Sequence, residues 1–215
     1  MVVGVYKLLF LGPPLAGKGT QCKMLSEKLR IPHISSGDIL RQEMQKETDL
    51  AQYVRERLAA GKFVSNEVIR VLVNSAIKGI SGGFILDGYP RTLDQLESID
   101  FEYDRIIVID TPIDCILDRV EGRLCHPGSG RIYHTRYNPP RMPGLDDITG
   151  EPLVRREDDR VELIRHRVLD YIEKTGEVIK RGIELKKVTL INGNGPKELI
   201  HQQILAELEK IKPKC

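Results

Sequence analysis

The sequence of 215 residues lacks three features that mark specialised classes of protein. Its four cysteines include no C-x-x-C pair, so neither a thiolate zinc site nor a disulfide framework is indicated, and a reducing compartment is expected. No apolar run approaches the length of a membrane-spanning helix. The formal net charge is only +2, which disfavours nucleic acid and anionic membranes as partners. Because the amino-terminus leads almost directly into a predicted strand, we expect no cleavable signal and a cytoplasmic location.

A glycine-rich loop near the amino-terminus is the most informative segment. The apolar run at residues 8–11 predicts a buried strand, a Gly/Pro turn follows, and residues 20–29 are compatible with a helix. With Gly17 and Lys18 at the end of the turn, this is the arrangement of a phosphate-binding loop, in which backbone N–H groups and a helix N-terminus face an anion. The strict form is not met, because Gly19 and not Ser or Thr follows the lysine. The other interpretation is an ordinary strand–turn–helix unit with a surface lysine.

Five apolar runs that end in small or polar residues predict the strands of a sheet. They cover residues 6–11, 32–35, 83–87, 105–110 and 187–192. Segments with helical periodicity lie between them, so we expect an α/β fold with a parallel sheet and helices on both faces. Ligands then gather at the carboxyl ends of the strands.

Three helix starts are indicated by capping residues. Ser65 is predicted to be the N-cap of one helix, and Thr111 that of another, with Pro112 at its first helical position. Gly195 and the proline after it are predicted to open the last helix.

One long segment interrupts the alternation of strands and helices. Residues 124–153 are rich in turn-forming residues and too numerous for a plain connection, so they are either disordered or a small functional lobe. Residues 131–134 alternate as in a strand, which favours a small β lobe.

Two further motifs complete a recognisable set. SSGDILR, residues 35–41, ends the second predicted strand, and FILDGYPRT, residues 84–92, ends the third. Together with GPPLAGKGT at residues 12–20, these motifs resemble those of the adenylate kinase family, in its long form with an extended lid. The resemblance spans nearly the whole chain.

The resemblance implies both a fold and a reaction. The fold is a P-loop kinase core with a five-stranded parallel sheet at residues 1–35, 80–122 and 160–215, a helical AMP-binding lobe at 36–79 and a small β lid at 123–159. The reaction is the reversible, Mg²⁺-dependent in-line transfer of a phosphoryl group from ATP to AMP, which gives two ADP. Lid closure excludes water, and the enzyme is expected to be a monomer whose only partners are nucleotides.

The resemblance also assigns residues to two nucleotides. The implied ATP-binding residues are Leu15, Ala16, Gly17, Lys18, Gly19, Thr20, Arg119, Arg123, Ile132, Tyr133 and Gly195. The implied AMP-binding residues are Ser36, Arg41, Lys62, Phe63, Val64, Gly88, Arg91, Gln95, Arg156 and Arg167. The implied catalytic residues are Lys18, Asp87, Arg91, Arg123, Arg156 and Arg167, with Asp87 reaching Mg²⁺ through water and no direct metal ligand in the protein.

These residue types suit phosphoryl transfer. Negative charge spreads over the phosphoryl oxygens, so catalysis depends on positioning and on cations, and guanidinium groups bind such oxygens in pairs. Taken without the motifs, a single arginine could equally be a solvated surface charge, and Asp87 could merely end its strand. Asp158 and Asp159, at the return from the lid, could fix the arginines or favour a helix start through its dipole.

The lid raises the question of a structural metal. The resemblance implies a lid with either four zinc ligands or a hydrogen-bonded polar quartet at the same four positions. In this sequence those positions hold His126, Ser129, Asp146 and Thr149. Hydroxyl oxygens are poor zinc ligands beside thiolates. We therefore expect a polar network and no structural zinc.

Leu15 is the one departure from the family pattern within the loop, where glycine is usual. If that position requires a positive φ, leucine carries strain of about 1–2 kcal/mol. A nucleotide-binding regulatory protein with weak or no turnover therefore stays open as an alternative. Independently of Leu15, a kinase that uses GTP as donor or UMP or CMP as acceptor is a second alternative. Gln95 favours adenine, because an amide can pair with both a donor and an acceptor.

Overall fold

The computed structural model describes residues 5–156 and 159–211. The strands in this part of the chain are β1 (Lys7–Leu11), β2 (His33–Ser35), β3 (Phe84–Asp87), β4 (Arg105–Asp110), β5 (Arg123–Cys125), β6 (Ile132–His134) and β7 (Val188–Asn192). Five of them form one parallel sheet in the order β2-β3-β1-β4-β7. The five predicted strands are confirmed, each with the same end and a start within one residue, and so is the α/β fold of a P-loop kinase core.

Helices cover both faces of this sheet, as predicted. They are α1 (Lys18–Leu29), α2 (Ser36–Met44), α3 (Asp49–Ala59), α4 (Asn66–Ile77), α5 (Leu93–Glu97), α6 (Ile113–Glu121), α7 (Val161–Asp170), α8 (Gly176–Glu184) and α9 (Lys197–Glu209). A π-helical turn, Tyr171–Thr175, joins α7 to α8. No helix among the described residues is both long and apolar enough to cross a membrane.

Alternation along β1 shows how the sheet is buried on two sides. Leu8 and Phe10 lie in one apolar cluster with residues of α1 and α9, while Leu9 and Leu11 lie in a second cluster with residues of α2 to α5 and α8. Successive side chains of a strand point to opposite faces, so a strand buried on both faces is apolar throughout. The carboxyl ends of the strands then remain as the edge where loops can meet a ligand.

The predicted helix starts have different outcomes. Ser65 is confirmed as an N-cap, since its Oγ accepts a hydrogen bond from the N–H of Val68 at 3.4 Å. The prediction for Thr111 is wrong, because the N-cap of α6 is Pro112 and no side chain caps that helix. The hydroxyl of Thr111 is buried and donates to the carbonyl of Ala16 at 3.5 Å, so it ties the end of β4 to the glycine-rich loop. Helix α9 begins directly after the proline that follows Gly195, as predicted.

The long insertion forms a small β lobe, as predicted. Strands β5 and β6 pair in antiparallel fashion. Isolated antiparallel bridges between Cys125 and Val154 and between Leu145 and Pro152 close the rest of the segment on itself. The segment is therefore ordered by its own backbone hydrogen bonds and not only by contacts with the sheet.

Candidate functional site

The glycine-rich loop leads from β1 to α1 through a tight turn. Gly12 has a φ of 152°, and a Cβ there would lie 2.5 Å from the carbonyl oxygen of Ile109, so only glycine fits. Gly17 has a φ of 91° and is the N-cap of α1, which begins at Lys18. The N-terminus of this helix carries N–H groups and a partial positive charge, which suit a phosphate.

Lys18 is the cation of this loop. Its Nζ donates to the carbonyl oxygens of Gly12 at 2.9 Å and Pro13 at 2.7 Å, which holds the side chain across the turn. Burial lowers the pKa of Lys18, a neighbouring aspartate opposes this, and the cations Arg91 and Arg167 lower it as well, so that the net pKa is about 8. The lowered pKa means that the charged form of Lys18 is disfavoured here. A bound anion would stabilise that charged form, so the site favours an anionic ligand.

That aspartate is Asp87, at the carboxyl end of β3. Its carboxylate is buried, and Oδ2 lies 3.5 Å from Nε2 of His33. Burial raises the pKa of Asp87, but hydrogen bonding with His33 and the charges of Lys18 and Arg91 outweigh it, and the net pKa is lowered. A Cβ at Gly19 would lie 3.6 Å from the same Oδ2, so an ionised oxygen stands beside the first turn of α1. Carboxylate oxygen is the donor that Mg²⁺ prefers, and the residue present therefore fits that ion.

A pocket that opens to solvent lies between the sheet edge and helices α2 to α4. It is lined by Ser36, Leu40, Leu58, Lys62, Phe63, Val64, Ile69, Gly88, Arg91 and Gln95. Seven of the ten residues assigned to AMP from the sequence are thus brought together, although they come from separate segments of the chain. Three of the apolar members, Leu40, Leu58 and Ile69, were not among the predicted residues.

Gln95 is held in one orientation inside this pocket. Its Oε1 accepts from the backbone N–H of Arg91 at 2.7 Å, and its Nε2 donates to Oδ1 of Asn66 at 2.7 Å. The amide therefore cannot be turned over, because the N–H of Arg91 requires an oxygen. One N–H and one oxygen lone pair of Gln95 remain available to a ligand.

Arg91 connects this pocket to the glycine-rich loop. Its Nε donates to the carbonyl of Gly88 at 2.7 Å, and its guanidinium carbon lies 5.3 Å from the ring centroid of Phe63. A second pocket shares three lining residues with the first, Phe63, Gly88 and Arg91. Its full lining is Leu11, Gly12, Pro14, Lys18, Phe63, Gly88, Arg91, Arg167, Tyr171 and Thr175. Lys18, Arg91 and Arg167 thus face a single space from three parts of the chain.

The other predicted residues lie around this space in different ways. Arg119 donates to the carbonyls of Leu15 at 3.1 Å and Gly193 at 3.0 Å, and Arg123 pairs with Asp159 at 3.1 Å. Arg41 is engaged by Asp38 on its own helix and does not line the pocket. Also outside the lining of both pockets are Ala16, Gly17, Gly19, Thr20, Ile132, Tyr133, Arg156 and Gly195. Asp158 lies outside the described residues.

Several residues of the site were missed from the sequence. Asn66 orients Gln95, and Thr175 Oγ1 donates to the carbonyl of Arg91 at 3.0 Å. Tyr171 lines the second pocket, and burial, with the charge of Asp110, raises its pKa. Tyr171 and Thr175 bound the π-helical turn, and such turns often occur at functional sites. No pattern in the sequence distinguishes a π turn from an α-helix, so Tyr171 and Thr175 could not have been found in this way. Asn66 could have been considered, because it directly follows the predicted N-cap Ser65 at the start of a helix.

The predicted polar quartet of the lid is hydrogen-bonded. His126 Nδ1 lies 2.8 Å from Ser129 Oγ, and Thr149 Oγ1 donates to Asp146 at 3.0 Å. Arg131 also donates through Nε to Asp146 at 2.7 Å, a partner that was not predicted. The pKa of Asp146 is held far below its usual range, chiefly by the hydrogen bonds of Arg131. The predicted polar network is therefore present, and it links His126 with Ser129 and Thr149 with Asp146.

Comparison with known proteins decides the family. Residues 10–183 match the sequence model of the family described as Adenylate kinase. The chain belongs to the adenylate kinase family. An Adenylate kinase of Coxiella burnetii (strain Dugway 5J108-111) is 39% identical over 221 residues, which cover 97% of this chain and 96% of that protein. One of Francisella tularensis subsp. novicida (strain U112) is 37% identical over 216 residues, covering 95% and 99%. This member of the adenylate kinase family is a nucleoside monophosphate kinase.

Leu15 has a φ of 58°, so the position does require the left-handed region. Its side chain packs against the apolar cluster of α6 and α7, which includes Ile116 and Ile164. Backbone strain at Leu15 is thereby offset by packing.

We expect Leu15→Gly to be more stable than Leu15→Ala by about 1 kcal/mol, because both lose the packing and only glycine loses the strain. Elsewhere in helices and strands the order is the reverse. Denaturant unfolding of the two variants measures the difference. Turnover of both should stay within about threefold of the parent, since the remaining loop residues are unchanged. A more stable alanine variant would show that the position is unstrained.

Proposed function

We propose that this protein transfers the γ-phosphoryl group of ATP directly to AMP, giving two ADP, while both nucleotides are bound. The observation that carries the proposal is the convergence of Lys18, Arg91 and Arg167 on one space between the glycine-rich loop and the pocket lined by Gln95. Two anionic nucleotides placed end to end put the transferring group among these cations. Catalysis then consists of positioning and of stabilising charge on the phosphoryl oxygens.

The acceptor is AMP in this proposal. The free N–H and the free lone pair of Gln95 match the N1 acceptor and the N6 donor of adenine. Phe63 and Val64 supply apolar surface for a base, and Lys62, Ser36 and Arg91 supply polar groups for its ribose and phosphate. We assign Arg41, Arg156 and Arg167 to the acceptor phosphate and the transferring group.

The donor is ATP in this proposal. Its phosphates lie in the loop of residues 15–20, with its base near Arg119 and Gly195 and the lid residues Ile132 and Tyr133 over it. We assign Arg123, which is paired with Asp159, to the phosphates of this nucleotide. Mg²⁺ bound to the phosphates would be held by Asp87 through water and would neutralise charge on the transferred group.

Movement of two lobes completes the proposal. We take residues 36–79 as the acceptor lobe and 123–159 as the lid on a core of the remaining residues. A Cβ at Gly130 would lie 3.7 Å from Asp38, so the two segments assigned to these lobes lie close together at this point. Closure of this kind excludes water, which would otherwise attack ATP. We further propose that the protein acts as a monomer in the cytoplasm, with nucleotides and neither nucleic acid nor membrane as partners.

An acceptor panel tests the activity. We expect ADP from ATP and AMP, at a kcat/KM at least about a hundredfold above that for ATP with CMP, UMP or GMP, because a base that leaves the amide unpaired is rejected strongly. GTP in place of ATP tests the donor. Gln95→Ala should reduce the preference for AMP, whereas the exposed control Gln52→Ala should retain it. Binding of both nucleotides without ADP formation would favour the regulatory alternative, and a preference for UMP or CMP would replace AMP as the acceptor.

A further inference from the structure

Three side chains with metal-binding atoms, two of them buried and one half-buried, meet near the glycine-rich loop. Cys22 lies on α1, His33 begins β2 and Asp87 ends β3. One ligand atom from each, Sγ, a ring nitrogen and a carboxylate oxygen, lies within 4.8 Å of the other two. Within residues 5–156 and 159–211, this is the one group of three such side chains close enough to hold a common ion. The proposed reaction uses only Asp87 of the three.

The geometry suits a tetrahedral cation with an open position. Bonds of about 2.0–2.3 Å to sulfur, nitrogen and oxygen place neighbouring ligand atoms of a tetrahedral zinc site about 3.3–3.8 Å apart. The distance of 3.5 Å between His33 Nε2 and Asp87 Oδ2 already falls in that range. Nε2 is a buried atom whose contact with Asp87 Oδ2 is long, at 3.5 Å, so in the tautomer with the proton on Nδ1 its lone pair can bind a cation. A small movement of the Cys22 side chain completes the third bond.

The ligand types select the kind of ion. A thiolate and an imidazole favour a thiophilic cation such as Zn²⁺, whereas Mg²⁺ prefers oxygen ligands. Cys22 is fully buried, and burial raises the pKa of its thiol, so the group is protonated without a metal. Access is through His33, whose side chain is 20% exposed.

We propose that Cys22, His33 and Asp87 form a binding site for a thiophilic divalent cation such as Zn²⁺, and that its occupation stops phosphoryl transfer. On binding, the Cys22 S–H bond breaks and its proton passes to buffer, and His33 coordinates through Nε2 as the neutral imidazole with its proton on Nδ1. Bonds from the metal to Sγ, Nε2 and Oδ2 replace all but one of the waters of the hydrated ion. No electron is transferred, and water remains at the fourth position.

Inhibition follows from the identity of one ligand. Asp87 is the carboxylate that we assign to the Mg²⁺ of the donor nucleotide, and it is also the anion next to Lys18. A cation bound to Asp87 neutralises the carboxylate, which is then no longer available to Mg²⁺ or to Lys18. The same cation places a second positive charge close to Lys18. The inhibitory effect rests on the proposed function, but binding of the ion does not.

Titration with Co²⁺ measures binding without any reaction. We expect one equivalent to produce a thiolate-to-cobalt absorption band in the near ultraviolet and tetrahedral bands in the visible, both removed by Zn²⁺. Cys22→Ser should lose the near-ultraviolet band, whereas Cys115→Ser and Cys125→Ser, at free cysteines elsewhere, should keep it. A parent protein without the band, or a Cys22→Ser protein that retains it, overturns the site. If Cys22→Ser does not fold by circular dichroism, His33→Gln gives the same comparison through loss of affinity by at least about tenfold.

Inhibition is measured with free Zn²⁺ set by a metal buffer at constant Mg²⁺ and ATP, because ATP itself binds zinc. We expect the parent and Cys115→Ser to lose activity together, and Cys22→Ser to need at least about tenfold more free Zn²⁺ for the same loss, relative to its own metal-free rate. Equal sensitivity of all three proteins would show that the site does not control turnover. A cobalt band in a protein without kinase activity would retain the site and reject the proposed function, so the two failures are distinguishable.

Discussion

Replacing Lys18 by methionine is expected to lower kcat by about 10²–10³-fold and, in the same protein, to raise the melting temperature. Turnover falls because a cation directed at the transferring group is lost. Stability rises because the folded protein holds this ammonium in a partly buried place beside Arg91 and Arg167. After allowance for screening by water in the cleft, the gain is about 1–2 kcal/mol, which corresponds to about 2–8 °C in a chain of this size.

The gain in stability depends on pH in a direction that follows from the pKa of Lys18. That pKa is lowered to about 8 in the folded protein from 10.5, so the folded state binds the proton less strongly than the unfolded state does. The cost of Lys18 is therefore fully present below about pH 8 and disappears as pH rises toward 10.5. The difference in melting temperature between Lys18→Met and the parent should be largest at pH 7 and smallest near pH 10.

Lys28 supplies a matched control for this prediction. It lies on the same helix with an exposed side chain, so Lys28→Met should change stability by no more than about 0.5 kcal/mol and leave turnover unaltered. Scanning calorimetry and a coupled ADP assay measure the two quantities. Parental turnover in Lys18→Met would contradict the site, and a large loss of stability would contradict the electrostatic argument.

Replacing Arg91 by alanine is expected to lower kcat by about 10²–10³-fold and to raise KM for AMP much more than KM for ATP. Arg91 lines both pockets, whereas its contribution to the fold is modest. The carbonyl of Gly88 loses the hydrogen bond from Nε but keeps the one from Ser36 Oγ at 2.9 Å. The free energy of unfolding should therefore fall by no more than about 1 kcal/mol.

Two variants accompany Arg91→Ala. Arg91→Lys restores the charge without the planar pair of donors, so we expect it to recover only part of kcat. Arg70→Ala removes an exposed arginine of α4 and should leave both kinetic constants unchanged. Steady-state kinetics with each nucleotide varied in turn measures these effects. Equal losses of kcat in Arg70→Ala and Arg91→Ala would mean that Arg91 contributes only to the overall positive charge of the protein and not to a specific contact with the nucleotide.

The elements of the sheet were predictable because local pattern decides them. The apolar runs at β1 and β4 are bounded by turn-forming or polar residues, and a strand buried on both faces must be apolar throughout. The N-cap at Ser65 was predictable for the same reason, since a cap depends on residues within one turn. The prediction that Thr111 is an N-cap was wrong because its hydroxyl donates to the distant carbonyl of Ala16 and accepts no hydrogen bond from the helix that follows. Long-range partners of a polar side chain leave no local signal.

The sequence by itself determined the sheet, the glycine-rich loop with Lys18, and the family, because these depend on short-range pattern and on motifs that keep their order along the chain. The tertiary structure alone decided that Lys18, Arg91 and Arg167 face one space and that Asn66 orients the Gln95 amide. It also decided that Cys22 and His33 meet Asp87. Each of these contacts joins segments that are far apart in sequence. Distances and pKa values depend on side-chain direction and burial, and these are defined only once the sheet has brought the segments together.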